Sequence, residues 1–335
     1  MHKALFYEHL KDGRLLCTLC PRRCKLKAGQ HGFCYIRQNI DGTLYSLAYG
    51  KPYAVNVDPV EKKPLYHFLP GTKILSIGTS GCNMACKYCQ NWDISEAKFD
   101  QKRAFDLPPS RIIQMALHYE SKSIAYTYNE PTIFAEYAMD TAQMGKKVSL
   151  KNVMVTNGYI EPLAIETVYK NIDAANVDLK AFDEKFYQKL TLSRLEPVLE
   201  CLKYLKKMKV WIEITNLVIP TYNDDQKTVT RMCEWILQEL DEFVPVHFTA
   251  FHPDYKLKNV SPTTPDTLFK LRKQAMEIGL KYVYVGNIMD GDASNTYCHN
   301  CHSLLIKRSW YSTEIKNIKD GRCSNCQTKI PGIFN

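Results

Sequence analysis
Eleven of the thirteen cysteines stand in three tight groups: Cys17, Cys20, Cys24 and Cys34, then Cys82, Cys86 and Cys89, then Cys298, Cys301, Cys323 and Cys326. Disulfide frameworks belong mostly to short secreted chains. These 335 residues open on MHKALFYEHLKDG, which carries acidic residues and no continuous apolar stretch and so argues against a secretory signal. Metal binding is the better account, and it requires loops that bring thiolates together at three places. Cys201 and Cys233 stand apart in helical patterns and are expected to be small buried apolar residues. Apolar runs such as NLVIP at 216–220 are strand-sized, so no membrane span is expected, and a cytoplasmic protein is.

The three spacings point to different chemistry. Cys298-x2-Cys301 and Cys323-x2-Cys326, twenty-one residues apart, have the spacing of a zinc ribbon, in which two knuckles close a tetrahedral four-thiolate site of structural purpose. His299 and His302 are spare ligands there. Cys17-x2-Cys20-x3-Cys24-x9-Cys34 supplies four thiolates for zinc or for an auxiliary iron–sulfur cubane, with His31 nearby. Zinc is favoured, because four ligands complete a closed site. Cys82-x3-Cys86-x2-Cys89 offers three thiolates and no close fourth, enough to grip one face of a [4Fe-4S] cubane and leave one iron open to a substrate. A structural zinc loop with a distant fourth ligand is the alternative.

The formal charge of +9 invites a nucleic-acid partner, but it counts every thiol as neutral. Two four-thiolate zinc sites at −2 each and a three-thiolate cubane at −1 would bring +9 down to about +4. The lysines are dispersed, so a nucleic-acid partner is not implied.

From 73 to about 290 the pattern alternates between short apolar strands and amphipathic helices. Strands are expected at 73–77, 123–127, 152–156, 175–179, 210–218, 246–251 and 282–285. Helices start after the Pro108–Pro109 pair at Ser110, at Pro131, after Asp224–Asp225 and at Pro265. The fold class is therefore α/β with parallel βαβ units, in a full or partial (β/α) barrel; a doubly wound open sheet fits the alternation nearly as well. In a barrel the reactive groups lie beyond the C-terminal ends of the strands. Three segments follow: a cysteine-rich N-terminal extension over 1–70, the core over 71–290, and a zinc-ribbon-like tail over 291–335. Within the first, TLYSLAYGKPYAVNVD suggests strands around the turn at Gly50, Lys51 and Pro52.

LSIGTSGCNMACKYCQNW, with Tyr88 just before the last cysteine, resembles the signature of the radical S-adenosylmethionine (SAM) superfamily. That resemblance implies a barrel of radical SAM type. It also implies a [4Fe-4S] cluster whose open iron chelates SAM, and an electron from a flavodoxin- or ferredoxin-like donor that cleaves SAM to a 5′-deoxyadenosyl radical. Asn129 and Glu130 in TYNEP resemble the segment that holds the SAM ammonium. Thr156 and Asn157 resemble the ribose-side segment of glycyl-radical activating enzymes, and Asp178 and Lys180 an Asp-x-Lys element near SAM in the same enzymes. Glu130 also suits a plain helix start, ahead of Pro131. His252 and Asn287 stand at later strand ends; no catalytic base or radical relay is named.

Across its length, from CTLCPRRCKLKAGQHGFC through VDPVEKKPLYHFLPG and HPDY to the terminal cysteine pairs, the chain resembles the radical SAM member of the AmmeMemoRadiSam system. Such proteins are similar to pyruvate formate-lyase activating enzymes and are associated with AMMECR1-like and Memo-like proteins. The expected function is thus reductive SAM cleavage acting on a small molecule or a partner protein. Activation of a glycyl-radical enzyme is one alternative, and a zinc-stabilised nucleic-acid-binding protein is another. The usual Gly-Gly-Glu element is replaced by Tyr128, Asn129 and Glu130.

Overall fold
A computed structural model describes residues 1–288, 292–309 and 312–335; the segment boundary expected at 290 and 291 lies outside them. All seven expected core strands form, and one more joins them. The central sheet comprises β1 (Ala54–Pro59), β2 (Lys73–Gly78), β3 (Ser123–Tyr126), β4 (Lys151–Thr156), β5 (Ala174–Asp178), β6 (Trp211–Val218), β7 (Val246–Ala250) and β8 (Val283–Gly286). Neighbours in the sheet follow the chain from β1 to β8 without reversal, whereas a doubly wound sheet reverses at a switch point. Only β1, at the edge, runs antiparallel, paired to β2 from Ala54 opposite Gly78 to Pro59 opposite Lys73.

Helices between the strands start where the sequence marks them. α1 (Pro109–His118) and α6 (Pro265–Ile278) carry proline in the first turn, and Thr264 caps α6 through the Thr267 N–H. α2 (Ala135–Lys147) follows a 3-10 turn over Pro131–Phe134. α3 (Pro162–Val168) and α4 (Glu196–Lys207) precede α5 (Gln226–Glu239), which Asp225 caps at the Thr228 N–H, 2.9 Å away. Cys201 and Cys233 are buried in α4 and α5. β3 and β7 are buried along their full length, as strands covered on both faces must be.

Helices cover one face; the other is filled from the two ends of the chain. Residues 60–69 form a strap in which Val60, Leu65 and Phe68 are fully buried against Ile74, Ala125, Val153 and Ala174, each large side chain contributing about 1.5–3 kcal/mol. The strap's polar backbone is satisfied by Glu213 on β6, whose carboxylate accepts from Tyr66 N, His67 N, Trp211 Nε1 and His247 Nε2 at 2.7–3.1 Å. Burial alone would raise Glu213; His247, His67 and the strap amides outweigh it and hold the carboxyl below its ordinary value. The C-terminal ribbon, with strands Leu304–Ser309 and Ser312–Ile315, sends Arg308 inward, where Nη2 donates to Tyr66 O at 2.7 Å. Leu69 N donates to Ile333 O at 2.7 Å.

In the N-terminal segment strands flank the Gly50 turn, as expected. Thr43–Ser46 pairs with Arg37–Ile40, and β1 joins the central sheet although it lies within the expected 1–70 extension. The segment docks on α2 through Arg37 and Glu136, each 2 % exposed and joined at 2.9 and 3.0 Å. Among the described residues, no helix is long and apolar enough to cross a membrane.

Candidate active site
The loop after β2 carries the cysteine triplet, and two glycines set its path. A Cβ on Gly78 would lie 2.6 Å from Thr127 O, and one on Gly81, at φ +83°, 2.0 Å from Cys34 O. Asn129, at the end of β3, latches the loop. Its Oδ1 accepts from Thr79 N at 3.1 Å, and its Nδ2 donates to Thr79 Oγ1 at 3.0 Å, Ser80 O at 3.3 Å and Gly81 O at 2.9 Å. From the other side Arg22 Nε donates to Asn83 O at 2.8 Å, and Asn83 Nδ2 to Tyr159 O at 2.7 Å.

Cys82, Cys86 and Cys89 face a cavity of about 260 Å³ whose walls come from the ends of strands β2 to β8, out to Asn287. Seven strands laid flat would spread those ends over roughly 29 Å at about 4.8 Å per neighbour, so the sheet curls to bring them together. Asn157 reaches Asn83 Oδ1 at 2.9 Å and lies 3.8 Å from Cys82 Sγ. Lys180 Nζ binds Asp178 Oδ2 at 2.9 Å. Burial alone would lower Lys180, but Asp178 and Cys86 beside it raise it well above its ordinary value, so it remains a cation facing the cavity. Tyr88 is buried, and among the described residues its hydroxyl has no partner. Desolvation pushes all three thiols up, Cys86 to about 12, so ionising them calls for compensating positive charge such as iron.

The expected SAM contacts divide. Tyr88, Asn129, Asn157, Asp178 and Lys180 line the cavity. Glu130 and Thr156 do not: the Glu130 carboxylate accepts from Thr132 N at 2.9 Å, Thr156 Oγ1 at 2.7 Å and Asn157 N at 2.7 Å. Glu130 therefore caps the turn over Pro131–Phe134 and fastens the end of β4, the plainer of its two expected roles, and Thr156 is its partner. His252 is exposed in the loop after β7, outside the cavity wall. Thr215, Leu217 and Thr249 line the cavity and were not anticipated. Register explains them: Thr215 lies opposite Asp178, and Leu217 opposite Thr249. Thr215 and Leu217 alternate on β6, on the face opposite Ile212 and Ile214, which was the available signal for that face.

The cysteine groups differ in how tightly they gather. Among the described residues, only the C-terminal four bring three or more ligand atoms within 4.8 Å of one another, with Cys298–Cys326 and Cys301–Cys323 each at 3.6 Å. This set can hold a single ion, since a tetrahedral site with metal–sulfur bonds of about 2.3 Å has sulfur edges of roughly 3.8 Å. His299 stays outside it, bonded to Tyr282 at 2.8 Å. The triplet does not form so tight a group among the described residues, and a multi-iron core calls for none. The four N-terminal thiols line one enclosed space.

Three thiolates after the second strand of a curled, mostly parallel sheet, facing a polar cavity at the strand ends, define a class of iron–sulfur enzyme. The Radical SAM superfamily model matches residues 76–233, so the chain carries a Radical SAM domain; members of that superfamily are enzymes, and the domain implies SAM and a [4Fe-4S] cluster. An uncharacterized protein of Methanocaldococcus jannaschii is 43% identical over 98% of this chain and 99% of its own length. Pyruvate formate-lyase 1-activating enzyme of Escherichia coli is 25% identical over 64% of this chain and 93% of that protein. The fold is shared with a radical SAM methyltransferase from Sphaerobacter thermophilus, at a TM-score of 0.53 and 13% identity over 65% of this chain and 67% of that one.

Proposed function
We propose that the chain is the radical SAM member of an AmmeMemoRadiSam system, that Cys82, Cys86 and Cys89 hold its [4Fe-4S] cluster, and that the curled sheet is a partial (β/α) barrel. When bound, the cluster supplies one electron to SAM, cleaving it to methionine and a 5′-deoxyadenosyl radical that abstracts hydrogen from a small molecule or a partner protein. Lys180, held by Asp178, is the cation for the SAM carboxylate. Asn129 and Asn157 offer amide groups, and the Tyr88 hydroxyl an unspent hydrogen bond. Leu217 supplies an apolar wall that limits water. Zinc is the ion proposed for Cys298, Cys301, Cys323 and Cys326, where the sulfur spacing suits it. AMMECR1-like and Memo-like proteins are the proposed companions, with a flavodoxin- or ferredoxin-like donor supplying the electron.

The observation that carries this reading is the meeting of three thiols with the Lys180–Asp178 pair on one cavity. A glycine of a partner protein as hydrogen donor is the second reading, favoured by the alignment with the E. coli activating enzyme. The nucleic-acid alternative rests on the net charge of +9 and the C-terminal cysteine pairs, and the superfamily match over residues 76–233 favours the enzyme reading over it. Anaerobically reconstituted and reduced protein is expected to convert SAM to 5′-deoxyadenosine and methionine, and Cys82→Ala to abolish this. Protein that loads zinc alone, with no SAM turnover, would overturn the proposal.

A further inference from the structure
The N-terminal thiols satisfy neither of the patterns already described: they are four in number, yet they do not gather as the C-terminal four do. Among the described residues, no three of Cys17, Cys20, Cys24 and Cys34 bring their sulfurs within 4.8 Å of one another. They nevertheless converge on a single enclosed space. Gly32 marks its wall: a Cβ there would stand 3.7 Å from both Cys24 Sγ and Cys34 Sγ. A zinc ion would draw four sulfurs to edges of roughly 3.8 Å. A cubane interposes four irons between its thiolates and so holds them further apart. Neither the triplet nor the N-terminal set forms a group as tight as the C-terminal four among the described residues.

An independent observation concerns the arginines of the same space. Arg37 is 2 % exposed and Arg22 is held by Asn83 O and the Phe33 ring, yet among the described residues Arg37 Nε and Arg22 Nη2 are buried without a hydrogen-bond partner. A buried N–H donor left unpaired is costly, so two of them beside four thiols point to an acceptor that belongs there. A four-thiolate cubane in its oxidised form carries net negative charge, and its inorganic sulfides add acceptors between the cysteines. Phe33 N already donates to Cys24 Sγ at 3.4 Å, the type of contact that tunes a cluster.

We propose that Cys17, Cys20, Cys24 and Cys34 hold a second [4Fe-4S] cluster, with the unpaired Arg22 and Arg37 donors directed to it, in place of the zinc expected from ligand count. The site lies back to back with the triplet: Cys34 O abuts Gly81, the residue before Cys82, and Arg22 binds Asn83, the residue after it.

The proposal extends beyond SAM cleavage and is testable without it. The triple variant Cys82→Ala, Cys86→Ala, Cys89→Ala, reconstituted anaerobically with iron and sulfide, is expected to retain about four irons and four sulfides per chain. It should show a reduced-cluster electron paramagnetic resonance signal that added SAM does not alter. An iron-free variant carrying about two zinc ions per chain would overturn the proposal. Should the triple variant fold poorly, Cys20→Ser in the otherwise intact chain decides. It is expected to lose about half of the iron while keeping the SAM-sensitive signal, and wild-type iron content in that variant would refute the second cluster. Failure of the SAM-cleavage reading shows differently, as a wild-type protein with no SAM-sensitive signal at all.

Discussion

Asn129→Asp is nearly isosteric and is expected to dislodge the triplet loop. The asparagine accepts one hydrogen bond from Thr79 N and donates through Nδ2 to Thr79 Oγ1 and to the carbonyls of Ser80 and Gly81. In Asn129→Ala the Thr79 amide and the Gly81 carbonyl lose their side-chain partner, at about 1–3 kcal/mol each, or about 2–6 kcal/mol for the loop. Aspartate keeps the acceptor for Thr79 N but turns an oxygen toward two carbonyls, replacing attraction by repulsion, so its cost should match or exceed that of alanine. At the lower figure of about 2 kcal/mol the properly placed loop falls by about 30-fold. The assay is iron retained after anaerobic reconstitution and desalting, alongside the SAM-sensitive signal. Asn129→Asp with wild-type iron and wild-type SAM turnover would refute the latch.

Other outcomes follow from the buried contacts. Glu136→Ala removes the carboxylate paired with the buried Arg37 guanidinium, at about 3–5 kcal/mol, so native-state hydrogen exchange at Ala4 N, bonded to Leu44 O, should accelerate by about 150- to 5,000-fold. Cys301→Ser should remove the capacity of the C-terminal four to hold an ion and speed exchange of the Leu69 amide, bonded to Ile333 O, by at least about tenfold. His67 is buried against Tyr284 and Pro331, and burial lowers it from 6.5 to about 4. The unfolded chain therefore binds the proton first as pH falls. Stability present above pH 6.5 should be lost down to pH 4, by about 3 kcal/mol in all, and denaturation midpoints should show that slope in wild type but not in His67→Gln. Lys180→Met should raise the KM for SAM far more than it alters iron content, whereas equal loss of both would assign Lys180 to the loop instead.

What the sequence disclosed, and what it withheld, follows from how far each signal reaches along the chain. The strands at Lys73–Gly78 and Trp211–Val218 and the cap at Asp225 are local features, and their residues announce them. The cavity contacts of Asp178 and Lys180 were likewise legible, because alternation on one strand fixes their side. Glu130 carries two readings, because a carboxylate beside a strand end suits an ammonium and a cap alike. The cap is filled by Thr156 and Asn157, donors at the end of β4 that lie 26 and 27 positions away. Thr215 and Thr249 stayed hidden for the same reason: their place opposite Asp178 and Leu217 is a property of register between strands. The spread of the N-terminal sulfurs is a distance that no count of intervening residues contains.

Arg308 meets Tyr66 across 242 positions of chain. During synthesis the triplet loop is therefore made long before Arg308 arrives to tie down the strap whose Tyr66 and His67 amides satisfy Glu213. Such late, distant closure slows folding and leaves a half-made cup vulnerable. Removal of the ribbon takes away the partner that holds the strap, and the looser seating of Glu213 should be felt along β6, whose far end lines the cavity of the cysteine triplet.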